Sequence, residues 1–132
     1  MHLLDTNICI HAIKRRPVGV LERIQTRLHD GLFISSLTLA ELEFGVASSQ
    51  QVEKNRVALL KFLTLFNLLS FEALDAIPYG QLRTELQRTG RLIGPIDMLI
   101  AAQALRHNLI LVTHNTREFE RIPGLKLEDW AA

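Results

Sequence analysis

The sequence predicts an α/β domain: a central, mostly parallel, twisted β-sheet flanked by helices on both faces. Two observations carry that expectation. The apolar pattern changes period repeatedly along the chain, from short strand-like runs to longer stretches of helical spacing. Proline, glycine and capping residues fall at the changes, so each run is bounded by residues that start or stop helices. At 132 residues the chain has the size of one core, and residues 1–132 are expected to form a single domain.

HLL at residues 2–4 reads as the first strand and Thr6 to Lys14 as the first helix. KRRP ends that helix, because Pro17 disfavours helical geometry at Arg16 while suiting the first turn of a new helix. The new helix is expected to run to about Leu28, where HDG at 29–31 places a glycine past its end. LFIS at 32–35 is the second strand, and the serines and Thr38 after it offer an N-cap to the helix holding AELEFGV. Residues 52–66 read as an amphipathic helix able to form a hairpin with its predecessor, and NLLSF at 67–71 as a third strand. A long helical stretch then reaches Thr89, with Pro78 marking a start or kink inside it and Gly90 closing it. GPIDMLIAAQAL opens with Pro95 in the favoured first-turn position, and His107 and Asn108 end that helix before the strand LILVT at 109–113. THNTREFERI supplies a loop and a short helix, and KLEDW a last edge strand.

The bulk numbers narrow the function classes. Fifteen Lys and Arg against fourteen Asp and Glu give a net charge of +1, so any polyanionic partner must be met by local patches. No apolar run approaches the roughly 20 residues that a membrane helix needs. The start lacks the basic, apolar and small-residue series of an export signal, which makes cytoplasmic residence the expectation. The one cysteine, Cys9, excludes an internal disulfide and a cysteine-rich zinc site; it sits in an apolar helical run where a buried, inert thiol is expected.

Ligands of parallel α/β sheets bind beyond the carboxyl ends of the strands, and that rule sorts the acids. Asp5 follows the first strand, Glu41 lies in the first turns after the second, and the polar loop at Asn115 follows LILVT. Asp97 joins them if its helix points its N-terminus the same way as the helix after LFIS. Asp97 shares a helical stripe with Ile100, Ala101 and Ala104, and Glu41 one with Leu37, Ala40 and Phe44. Glu43 also has apolar neighbours, so periodicity alone does not choose between it and Glu41. Singly, Asp5 reads equally well as a helix cap and Asp97 as a partner of the helix dipole. Together they ask for more, because inward carboxylates need a cation or strong donors and caps have no reason to converge. Convergent acids suit magnesium or manganese, and the metal-assisted hydrolysis of a phosphodiester.

Four segments in series, LDTNICI at the start, LAELEFG at 39–45, IGPIDMLIAAQA at 93–104 and LVTHNTREFERIPGL at 111–125, resemble a PIN-domain ribonuclease of the VapC toxin family. The resemblance spans essentially the whole chain. It implies a PIN-like parallel-sheet domain, a magnesium or manganese site, a homodimer, a cognate VapB antitoxin and an RNA substrate cut endonucleolytically, with structured RNA such as the initiator tRNA anticodon loop as the target. Asp5, Glu41 and Asp97 match the family's acids and would hold the metal. Asn115 departs from the fourth Asp of many PIN domains, and Glu118, with Glu120 behind it, is the candidate replacement. Thr6, Asn7, Thr113 and Asn115 would orient ligands from behind. His114 is tempting as a general base, although the chemistry does not call for one.

For RNA, Lys14, Arg15 and Arg16 follow the first helix, and Arg83, Arg88 and Arg91 precede Asp97. Such residues would meet phosphates, with sequence choice made in a single-stranded loop. Phe44, Tyr79 and Trp130 are expected to pack rather than stack on bases, and the apolar helices at 52–66 and 72–89 are candidates for a dimer or antitoxin contact. Two alternatives carry less. A catalytically silent PIN module that binds antitoxin or RNA has only Asn115 in its favour, and a phosphoacceptor with Asp5 as nucleophile lacks the second acid expected in DTN.

Overall fold

The computed structural model describes residues 1–131. Strands β1 (His2–Leu4), β2 (Leu32–Ser35), β3 (Asn67–Leu69), β4 (Ile110–Val112) and β5 (Leu127–Glu128) form one sheet in the order β3-β2-β1-β4-β5. Every pair is parallel, with Leu4 opposite Ile34 on one side and Val112 on the other. Around the sheet lie α1 (Thr6–Lys14), α2 (Val18–Thr26), α3 (Ser36–Ala47), α4 (Val52–Leu63), α5 (Ala76–Arg88), α6 (Pro95–His107) and the single turn α7 (Thr116–Phe119).

The alternation of side chains along each strand divides the apolar residues between two cores. Leu4, Leu32, Ile34 and Val112 face the layer of α1 to α4, where Ile8, Cys9, Ala12, Ile24 and Leu59 are buried. Leu3, Phe33 and Leu111 face the other layer, with Leu82, Leu86, Ile100, Ala101, Ala104 and Phe119 from α5 to α7. A sheet covered on both faces explains why its strands read as continuous apolar runs. Cys9 is a fully buried free thiol, and burial pushes its pKa well up.

Several boundaries differ from those the sequence suggests. α2 ends at Thr26, and Leu28–Asp30 tighten into a 3₁₀ turn before Gly31, whose φ of +78° suits glycine. α4 ends at Leu63 because the next three amides turn back to carbonyls only three residues behind. The third strand stops at Leu69, since the Phe71 amide leaves the sheet to bond Ser36 Oγ at 3.1 Å. Pro78 lies in the first turn of α5 and starts the helix rather than kinking it. The α3–α4 hairpin is clamped by Arg56, whose Nη1 meets both Glu43 oxygens at 2.7 and 3.0 Å.

The direction of α6 matters most for function. Its last turn feeds straight into β4, with the Leu109 amide on Ala104 O at 2.9 Å and the Ile110 amide on Met1 O at 3.1 Å. The helix therefore runs against the strands, and its Pro95 end lies toward their carboxyl edge. The helix that precedes a strand ends at that strand's start, so its own start, with Asp97, reaches the edge where Asp5 sits.

Asp75 anchors the far end of this layer. It is fully buried, accepts the Glu72 amide at 2.7 Å and meets Arg106 Nη1 at 3.1 Å. Asp75→Ala should destabilise the fold by about 2 kcal/mol in urea unfolding, because the Glu72 amide loses its acceptor and Arg106 keeps only the longer 3.7 Å approach to the Glu72 carboxylate. A loss below about 0.5 kcal/mol, the scale of an ordinary surface change, would contradict this. Among the described residues no helix is long and apolar enough to cross a membrane.

Candidate active site

Asp5 leaves β1 with its amide bonded to Val112 O at 3.0 Å, which fixes the turn from strand to helix. Its carboxylate is 3% exposed, and Oδ1 accepts the Ile8 amide at 2.9 Å, so the residue caps α1. The Thr113 hydroxyl also donates to this carboxylate. Burial raises the Asp5 pKa; the Thr113 hydroxyl and the Ile8 amide oppose the shift, and the charges of Glu41 and Asp129 add to it.

Glu41 lies in the second turn of α3, and Oε1 accepts a short hydrogen bond from Thr6 Oγ1, the residue after Asp5. Thr6 thus ties the first turn of α1 to α3, and the same hydroxyl reaches Thr38 Oγ1 at 3.2 Å. Glu43 points away, held by Arg56. The expected stripe of Glu41 with Ala40 and Phe44 is corrected: Ala40 is exposed and Phe44 is 73% exposed, so Phe44 is no packing residue. The buried side of α3 is Thr38, Leu42 and Val46, and Glu41 flanks it. Trp130, by contrast, is buried, with Arg27 5.0 Å from its ring centre.

Asp97 is half-buried in the first turn of α6, where its pKa is pushed up to about 6 by burial and then by the charges of Asp5, Glu118 and Glu41. Gly94 keeps the carboxylate uncovered, since a Cβ there would lie 3.4 Å from Oδ2. Glu118, on α7, is the fourth member by its influence on Asp97; Glu120 is exposed and exerts none. Among the described residues, the charged groups with the largest effect on Asp97 are all carboxylates.

Thr113 is fully buried and links this wall to the next, touching Asp5 and accepting the Asn115 amide at 2.9 Å. The Asn115 side chain does not cap α7. Asn7 is exposed beside Asp5. Arg15 and Arg16 lie past the end of α1, roughly 13 Å of helix from Asp5 at 1.5 Å per residue. Arg83 is exposed and bonds Tyr79 OH at 2.8 Å, Arg88 pairs with Glu85, and Arg91 is exposed in the turn before α6. None of these arginines enters the acidic cluster.

Sequence reasoning missed Asp129. β5 runs parallel to β4, with the Thr113 amide on Glu128 O at 2.9 Å, so Asp129 emerges at the same edge as His114. Its Oδ2 meets His114 Nδ1 at 3.0 Å. The strand-end rule applied to KLEDW would have found it, had that segment been treated as a full member of the sheet.

The chemistry of this edge is that of hard oxygen donors crowded without a cation. As they stand, no three acids or imidazoles among the described residues are close enough to chelate an ion by themselves.

The sequence matches the PIN domain model over residues 2–125. It is 47% identical over 130 residues to the tRNA(fMet)-specific endonuclease VapC of Shigella flexneri, covering 98% of this chain and 97% of that one. Ribonuclease VapC2 of Rickettsia felis is 42% identical over 131 residues, with 98% of each covered. Among solved structures, VapBC2 of Rickettsia felis bound to a promoter DNA fragment superposes with a TM-score of 0.93 at 42% identity, covering 98% of each chain. DNA-bound VapBC of Salmonella typhimurium gives 0.92 at 42%, covering 98% of this chain and 97% of that one. The chain belongs to the PIN domain family, in its VapC branch.

Proposed function

We propose that this protein is a magnesium- or manganese-dependent endoribonuclease, the toxin of a VapBC-type pair, which inhibits translation by cutting structured RNA at the initiator tRNA anticodon loop. The observation that carries the reading is that Asp5 and Asp97 lie at the same edge of the sheet and that the charges of Asp5, Glu118 and Glu41 all act on Asp97. The names of the relatives support ribonuclease action and the tRNA target.

The residues fit a hard divalent ion. The donors are oxygens, and two carboxylates are raised by burial and by the charges of neighbouring carboxylates. Magnesium keeps several waters and is bound through few carboxylates plus substrate phosphate, so it does not require a closed cage of protein ligands. Asp5, Glu41 and Asp97 would hold the ion, with Glu118 as the fourth acid and Asn115 orienting ligands from behind. When bound, the ion lowers the pKa of a water and offsets charge on the phosphate. The chain's own residues do the positioning. The Ile8 amide fixes Asp5, Thr6 fixes Glu41, and the α6 N-terminus favours the ionised form of Asp97. The acids repel phosphate, so the RNA backbone would be gripped outside them, by Arg15, Arg16, Arg83 and Arg91.

The partner of this reading is a VapB-type antitoxin. A groove of about 360 Å³ lies between α1, α3 and α4, walled by Ile10, Ile13, Leu42, Val46 and Leu59 and bordered by Glu41. An apolar antitoxin segment seated there would lie against the acidic site and obstruct it. Exposed Phe44, Val57 and Leu60 offer surface for the homodimer.

Purified protein incubated with bulk tRNA should produce discrete new ends with manganese and none with EDTA. Glu41→Gln should lower the cleavage rate by about a hundredfold, while Glu43→Gln, which loses only a surface pair, should stay within about twofold. Metal-independent ends, or equal loss in the two variants, would count against the proposal.

A further inference from the structure

A metal-activated water attacks a phosphodiester without using the neighbouring 2′-hydroxyl, so an enzyme of this kind needs another group to tell RNA from DNA. The rim of the acidic cluster contains one side chain built for that task. His114 follows Thr113, which touches Asp5, and precedes Asn115. Its Nδ1 lies 3.0 Å from Asp129 Oδ2, and the His11 ring packs edge-on with centroids 6.0 Å apart.

Asp129 is itself fixed. Its other oxygen accepts the Ala131 amide at 2.8 Å, and its carbonyl accepts Arg23 Nη1 at 3.0 Å. The Thr113 amide on Glu128 O at 2.9 Å and the Asp5 amide on Val112 O at 3.0 Å bring the pair to the sheet edge that carries Asp5. A carboxylate only accepts, so Nδ1 carries the proton of the neutral ring and Nε2 is left as a bare acceptor. Nε2 has no hydrogen-bond partner among the described residues, and the side chain is 58% exposed. Asn7 and Asn115 also border the site, but no bond fixes either amide.

We propose that His114, with its orientation and tautomer set by Asp129, accepts a hydrogen bond from a ribose 2′-hydroxyl next to the scissile phosphate and so selects RNA. The proposal rests on the ribonuclease reading above. Asp129 acts through His114 as a positioning residue.

The test uses a synthetic initiator tRNA anticodon stem-loop, in all-ribose form and with single 2′-deoxy substitutions through the loop, cleaved in manganese. At one loop position the deoxy substitution should lower the wild-type kcat/KM by about tenfold, the scale of one hydrogen bond to a substrate. His114→Ala should lose about the same on the all-ribose RNA and nothing further on that deoxy RNA. Asp129→Ala should behave like His114→Ala on both, with a raised KM and nearly unchanged kcat. Wild-type indifference to every deoxy substitution, additive losses in His114→Ala, or a collapse of kcat alone would overturn the proposal. The first of these needs no variant to fold. If wild type leaves the stem-loop whole, the nuclease reading on this RNA falls; the same ribose and deoxy pairs are then compared by fluorescence anisotropy on Asp5→Asn and on Asp5→Asn with His114→Ala. Equal binding losses with and without His114 would then refute ribose recognition.

Discussion

Asp5→Asn should lower RNA cleavage by about a thousandfold or more and leave the protein at least as stable as the parent. The two effects separate because the residue has two jobs. As a cap it accepts the Ile8 amide at 2.9 Å, and asparagine caps about as well as aspartate. As an acid it sits 3% exposed, with burial and the charges of Glu41 and Asp129 opposing its ionisation. Removing that charge keeps the cap and relieves the repulsion. It also takes away the most buried of the oxygens proposed to hold the metal. Cleavage of bulk tRNA in manganese, read beside thermal melts of the metal-free protein at pH 7.5, checks both halves. A variant that melts several degrees lower would mean that the carboxylate stabilises the fold, and an active variant would remove Asp5 from the chemistry.

The sequence made the sheet legible because strands covered on both faces and helices with one buried stripe have different periods. It made the acids legible through where they fall, at strand ends and helix starts. What it left open was settled by long-range contacts that no local pattern encodes. Glu41 and Glu43 both have apolar neighbours along α3; Arg56, on another helix, takes Glu43, and Thr6 takes Glu41. Phe44 looked like a packing residue because an isolated helix does not reveal which apolar side its neighbours cover. Strand and helix order alone leaves the edge of Asp97 open and only the family resemblance assigns it; in the fold the assignment follows from where the last turn of α6 meets β4. Asp129 was overlooked because a two-residue strand carries almost no periodicity, although its pairing with β4 puts it at the working edge as firmly as any longer strand.

The same electrostatics predict how stability responds to pH and to metal. The Asp97 carboxyl has an ordinary pKa of 3.8 and one of about 6 in the fold. Between those values the folded protein holds a proton that the unfolded chain has released. The Asp97 contribution to stability is therefore fully present below about pH 4 and is lost as pH rises through 6. A shift of this size corresponds to roughly 3 kcal/mol for a fully buried group, and to about 2 kcal/mol for one partly open to solvent. Asp5 is shifted in the same direction, so Asp97→Asn should flatten the decline without abolishing it. A divalent ion acts on the same cost. It binds the ionised carboxylates, so at pH 7 manganese should restore the stability lost between pH 4 and 6, by about 2.7 kcal/mol at a hundred times its dissociation constant. Asp97→Asn should gain far less. Urea unfolding at pH 4.5, 5.5 and 7, with and without manganese, measures all of this on folded protein and needs no RNA. A metal-free Asp97→Asn variant whose stability follows the same pH dependence as wild type would refute the raised Asp97 carboxyl. An equal manganese gain in wild type and Asp97→Asn would place the ion elsewhere, because an ion that needs Asp97 cannot stabilise the fold equally without it.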